Sequence, residues 1–78
     1  MYMFSENKKT IANYTTFKVE TNATFAKDKK IALVGCTTGF AQECDVLAYF
    51  SEEKYAMDEM EKIFAAIAAG QTTYTIGE

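Results

Sequence analysis

Five acids, Glu52, Glu53, Asp58, Glu59 and Glu61, fall close together in one stretch of the chain. Paired carboxylates can hold a cation, or share acid and base work. The plainer reading is a solvated face at the start of a helix, where the macrodipole favours acids. Lys54–Asp58 and Asp58–Lys62 are spaced i,i+4 and would pair on such a face. "GCTTGF", Gly35 to Phe40, sets two glycines beside two hydroxyls. A phosphate-cradling loop wants a Lys after the second Gly and a helix after that. Phe40 follows instead, so a turn is expected, with Thr37, Thr38 and Phe40 as the candidate lip for a small ligand. "KVETNATFAKDKK" interleaves Lys with Phe, as a single-strand stacking platform would, but acids are mixed in.

Other chemistry is limited by what the chain lacks. Its 78 residues include no His, no Arg, no Pro and no Trp. Ser and Cys nucleophiles need a base, and the usual one is missing. Without Arg, bidentate phosphate recognition falls to Lys or backbone. Eleven acids against eight lysines leave a net charge of −3, the wrong sign for a nucleic-acid surface. Catalytic residues, cofactors and a metal are therefore not expected. Cys36 and Cys44 with no His would need a second subunit to complete a zinc site. "MYMFSENKK" carries charge where a secretory leader has an apolar core, so a reducing setting with free thiols is the default, and a cross-hairpin disulfide the alternative.

One domain, residues 1–78, is as much as this length allows. A hydrophobic fraction of 49%, with five Tyr and six Phe, favours a packed core over disorder. "MYMF" reads as a short strand and "SENKK" as a turn. "TIANYTTFKVET" reads as a strand whose clean alternation begins only at Thr16. "AKDKK" reads as a charged turn. "IALVG" and "CDVLAYF" are nearly all apolar and suit central strands. Ile31 to Phe50 has the length of a membrane span, but Gln42, Glu43 and Asp45 interrupt it, so two strands are expected there.

The strongest pattern follows. Ser51 is a good N-cap residue and Gly70 a good C-terminal stop, so a helix is predicted over Glu52–Ala69. Ala56, Met57, Met60, Ile63, Phe64 and Ile67 fall in an arc about 120° wide, which predicts a core-facing stripe. On that reading Phe64→Ala would cost about 3–5 kcal/mol. The opposite side holds Tyr55, Asp58 and Lys62 with Ala65, Ala66 and Ala69. The small residues there serve helix propensity, or make Tyr55, Ala65, Ala66 and Ala69 a candidate oligomer interface. "TYTI" reads as a last, short edge strand. The fold expected is α+β, an antiparallel meander of four to five strands with the helix across one face.

The two ends, "MYMFSENKKTIANYTTFKVE" and "LAYFSEEKYAMDEMEKIFAAIAAGQTTYTIGE", resemble a group of small, mostly uncharacterised proteins of Firmicutes and their phages. The shared layout is an aromatic-rich start, a polar turn, then at the far end a strand, acidic helix start, Gly and aromatic edge strand. The chain departs from it in its alanine-rich helix end, and in lacking the group's polar "LG" turn before the aromatic and its terminal Pro. The resemblance implies a β-meander capped by a helix, a cytoplasmic location and a phage origin. It carries no activity with it. The function expected is a small non-enzymatic binding protein of the phage accessory or anti-defence kind. It would occupy a host protein or sequester a small signalling molecule. The alternative is a purely structural, self-assembling protein. A homo-oligomer is expected; nucleic acid and membrane are not.

Overall fold

"IALVG" offers no polar face, and a strand without one belongs in the middle of a sheet. The computed structural model, which describes residues 1–38 and 42–76, places it there. Strands β1 (Tyr2–Phe4), β2 (Ile11–Asn13), β3 (Thr16–Thr21), β4 (Ile31–Cys36) and β5 (Cys44–Phe50) come first. The helix α1 (Glu53–Ala68) and strand β6 (Thr73–Thr75) follow. The fold is α+β. Among the described residues its strands number six and form two sheets, ordered β2-β1-β6 and β3-β4-β5. The second is the expected antiparallel meander, and β6 is the expected short edge strand. β6 reaches β1 in parallel, from Tyr2↔Thr73 to Phe4↔Thr75. Parallel pairing needs a long crossover, and the rest of the chain supplies it.

"TIANYTTFKVET" divides into β2 and β3, which lie in different sheets. The break is at Tyr14, which is fully buried and turned into the core. That is why alternation fails before Thr16: the strand changes sheets where its pattern breaks. The β1–β2 turn is "SENKK", as read. Lys8 donates its N–H to the Ser5 carbonyl at 3.0 Å and takes a left-handed φ of 63°.

The two sheets and α1 share one core of Met3, Tyr14, Leu33, Leu47, Ala48, Ile63 and Ile76. A bulge joins the sheets. Leu33 pairs with Ala48 and Val34 with Val46, so Leu47 is an extra residue on β5. An extra residue is left out of the ladder. The Leu47 carbonyl accepts instead from the Glu6 N–H at 2.9 Å. Close packing over β4 requires Gly35, because a Cβ there would lie 2.9 Å from both Leu47 Cδ1 and Tyr14 Cγ.

α1 is one residue shorter at each end than predicted. Glu52, not Ser51, is its N-cap, without a side-chain bond. Its C-terminus is a Schellman close: Gly70 at φ 79° donates to the Ile67 carbonyl and Gln71 to the Ala66 carbonyl, each at 3.0 Å. The helix lies against all three strands of β3-β4-β5. Its buried face differs from the predicted stripe. Ala56, Glu59, Ile63 and Ala66 point inward, and Met60 is half-buried. Met57, Phe64 and Ile67 are outside, Phe64 at 72% exposure. The reason is the second sheet. Glu59 receives the Tyr74 hydroxyl of β6, and the small Ala56 and Ala66 let the helix come close. Glu59 and Ala66 thereby belong to the inward face, and the far half of the apolar arc faces out. Phe64→Ala therefore empties no core site and lacks the core cost.

The cysteine expectation also changes. The β4–β5 register sets Cys36 opposite Cys44, and the two form a disulfide. The free-thiol default rested on cell compartment, whereas pairing is decided by strand register. Ile31–Cys36 and Cys44–Phe50 are strands, and no helix among the described residues is long and apolar enough to cross a membrane.

Candidate functional site

The turn after β4 was the first candidate for a ligand. Thr37 has little left to offer one. Its N–H donates to the Glu43 carbonyl at 2.8 Å, and its Oγ1 accepts from the Glu43 N–H at 3.1 Å. Its hydroxyl also donates to the Glu43 carbonyl at 3.3 Å. These bonds close the hairpin behind the disulfide. Thr38 is exposed, and Phe40 lies outside the described residues. A shallow concavity of about 40 Å³ lies elsewhere, between Glu6 and Asn7 on one side and Val46 to Tyr49 on the other. That is room for about one water.

The acids at the helix start do not act as a group. Glu59 is buried and bonded to Tyr74. Glu52 pairs with Lys54 at 3.5 Å in the open. The i,i+4 pairs expected through Asp58 are not among the ion pairs of the described residues, which are this one and Lys18–Glu20. No group of three or more His, Cys, Asp or Glu among the described residues could hold a metal.

Two tyrosine–carboxylate pairs hold the core instead. The Tyr14 hydroxyl donates to Asp45 Oδ2 at 2.7 Å, and the Tyr74 hydroxyl donates to Glu59 Oε2. Burial pushes both phenols well above the ordinary tyrosine range, and the bonded carboxylate adds to this in each case. Such a shift has a consistent sign. The folded state holds the phenolic protons more tightly than the unfolded state does. Stability from this source is complete below about pH 10, the ordinary tyrosine value, and is lost as pH rises above it. Alkaline unfolding is the expected result. Stability measured by urea at rising pH should fall less steeply above pH 10 in the Tyr14→Phe, Tyr74→Phe double variant than in the natural chain. Equal slopes would show that these phenols are not the cause.

The surface that remains is apolar. Met57, Phe64 and Ile67 are exposed on one flank of α1, with half-buried Met60 among them. Their spacing, 57, 60, 64 and 67, is the a/d spacing of a helix seam. The flank lies beside the inward face, which Ala56, Glu59, Ile63 and Ala66 form. Of the small-residue candidates, Tyr55, Ala65 and Ala69 are exposed, while Ala66 is buried within the chain's own core. The four are therefore not one surface. Phe25 stands fully exposed on the β3–β4 connection. That connection leaves the sheet at the end where Phe50 hands over to the helix, since Thr21, Ile31 and Phe50 are in register.

No protein-family model, curated protein or solved structure matches this chain. The flank of α1 was visible in the sequence as part of an apolar arc. What hid its exposure is that periodicity alone reads the whole arc as core.

Proposed function

We propose that this chain is a small non-enzymatic binding protein that occupies a partner protein through the exposed flank of α1. The observation that carries the reading is the open seam of Met57, Phe64 and Ile67. Exposed apolar residues scattered singly need no explanation, but a contiguous row of them marks a contact. Exposed Glu61 lies beside the row and exposed Glu53 at its N-terminal end. The row suits an amphipathic helix with aliphatic a/d residues and a basic rim, laid along it. The size of the concavity beside Tyr49 favours a protein partner over a sequestered small molecule. The layout of the two ends supports a phage accessory or anti-defence protein acting on a host protein in the cytoplasm.

Phe64 tests the reading. Phe64→Ala should change stability by less than about 0.5 kcal/mol, as surface substitutions usually do. Phe64→Glu should keep the natural circular dichroism. A tagged natural chain is expected to retain a host protein from lysate that the folded Phe64→Glu chain does not. Retention of the same proteins by both would overturn the assignment of the flank.

A further inference from the structure

We infer that β3 is the contact through which two copies of this chain join, edge to edge and antiparallel, about a twofold axis at Val19. This goes beyond the helix flank and uses a different surface. β3 is a six-residue strand at the end of its sheet, and no described strand lies beyond it. The other edges are managed. β5 has the bulge, the Glu6 bond to Leu47 and the turn at Lys27–Lys29 packed against it. β2 and β6 have three residues each. A long, unbulged edge is a template for another strand.

The backbone says which residues would pair. The Asn22 N–H donates to the Lys30 carbonyl at 2.7 Å, continuing the Thr21↔Ile31 register. Bonding alternates along an antiparallel ladder. The backbone groups of Thr16, Lys18 and Glu20 therefore face β4. Those of Phe17, Val19 and Thr21 face the open edge.

Charge then selects one register. An axis at Lys18 would set Lys18 against the same residue of the partner, and an axis at Glu20 would set Glu20 against itself. Like charges directly opposite are unfavourable. An axis at Val19 sets each Lys18 against the second copy's Glu20, and each Glu20 against its Lys18. Val19 then bonds Val19 across the junction, and Phe17 bonds Thr21. In the single chain Lys18 Nζ and Glu20 Oε1 are 3.0 Å apart and half exposed, so both are free to re-pair. A lysine on an edge strand ordinarily deters pairing. Here Glu20 supplies its complement, in this register alone. On the other face, half-buried Phe17 and Val19 would be covered. The contact is isologous, as a twofold dimer requires, and it makes one continuous six-stranded sheet.

Mass in solution over a range of concentrations tests this, with circular dichroism confirming each fold. The natural chain is expected to dimerise. Lys18→Glu alone and Glu20→Lys alone should each weaken the dimer about tenfold or more, because two like-charge pairs replace two opposite ones. The Lys18→Glu, Glu20→Lys double variant should dimerise as the natural chain does. The two single variants, mixed, should pair with each other better than either pairs with itself. Phe64→Glu should leave the dimer unchanged, which separates this contact from the helix flank. A monomeric natural chain, or a dimer indifferent to both single changes, would overturn the inference. So would a folded double variant that stays monomeric.

Discussion

Tyr14→Ala is expected to destabilise the protein by about 3–5 kcal/mol, the range for an aromatic emptied from a core. The ring is fully buried where β2 passes into β3, at the junction of the two sheets. It lies over Gly35 and meets Phe17 edge-on, with ring centroids 6.4 Å apart. Its hydroxyl ties β2 to Asp45 of β5. Folded domains have roughly 5–15 kcal/mol in hand, and small ones sit at the low end. Much of this chain's stability therefore depends on one side chain. Tyr14→Phe keeps the ring and loses one hydrogen bond, for about 1 kcal/mol. Gly35 gives a second handle. Gly35→Ala drives a methyl into the ring and into Leu47, and overpacking of this kind costs about 1–3 kcal/mol. With the ring gone, of these two contacts only Leu47 still crowds that methyl. The two changes made together should cost less than their sum, as expected of residues in contact. Urea unfolding of the four chains measures this. A Tyr14→Ala chain of near-natural stability would show that the ring is not part of the core.

Loss of the Cys36–Cys44 bond is expected to lower stability by about 2.5 kcal/mol, from the chain entropy of a short loop. The cysteines are 8 residues apart, so the closed loop is small and the effect sits near the lower end for disulfides. In a domain of this size the melting temperature should fall by about 10–20 °C. The fold itself should survive. Cys36 and Cys44 are held opposite by the ladder, and the Thr37–Glu43 bonds close the hairpin beside them. Reductant, or Cys36→Ala with Cys44→Ala, should therefore leave the room-temperature circular dichroism unchanged while lowering the melting point. Both treatments should agree. An unfolded reduced chain would mean that the bond is needed for the hairpin. An unchanged melting point would mean that the sulfurs are not joined. A fold that persists without the bond suits a protein proposed to work in a reducing cytoplasm.

The amino-acid sequence by itself determined the backbone of most elements. Gly70 stops the helix through its positive φ, and apolar periodicity places the helix within a residue of its observed ends. The apolar runs at Ile31–Cys36 and Cys44–Phe50 are strands, and the polar "SENKK" is a turn. These are local matters: conformational preference, capping and period act over a few residues. Tertiary structure alone decided how the elements meet. The apolar arc of α1 runs from Ala66 around to Met57, about 180° at 100° per residue, wider than the face it lays on the sheets. Period shows such an arc but not which half is used. Glu59 faces inward and bonds Tyr74, across the turn from α1 to β6, while Phe64 lies outside. The same holds at Tyr14, whose burial split one apparent strand between two sheets. It holds for Cys36 and Cys44, paired by the register of β4 on β5, and for β6, parallel to a strand at the other end of the chain. In each case the deciding contact joins residues that no periodicity links, so it exists only once the chain has folded.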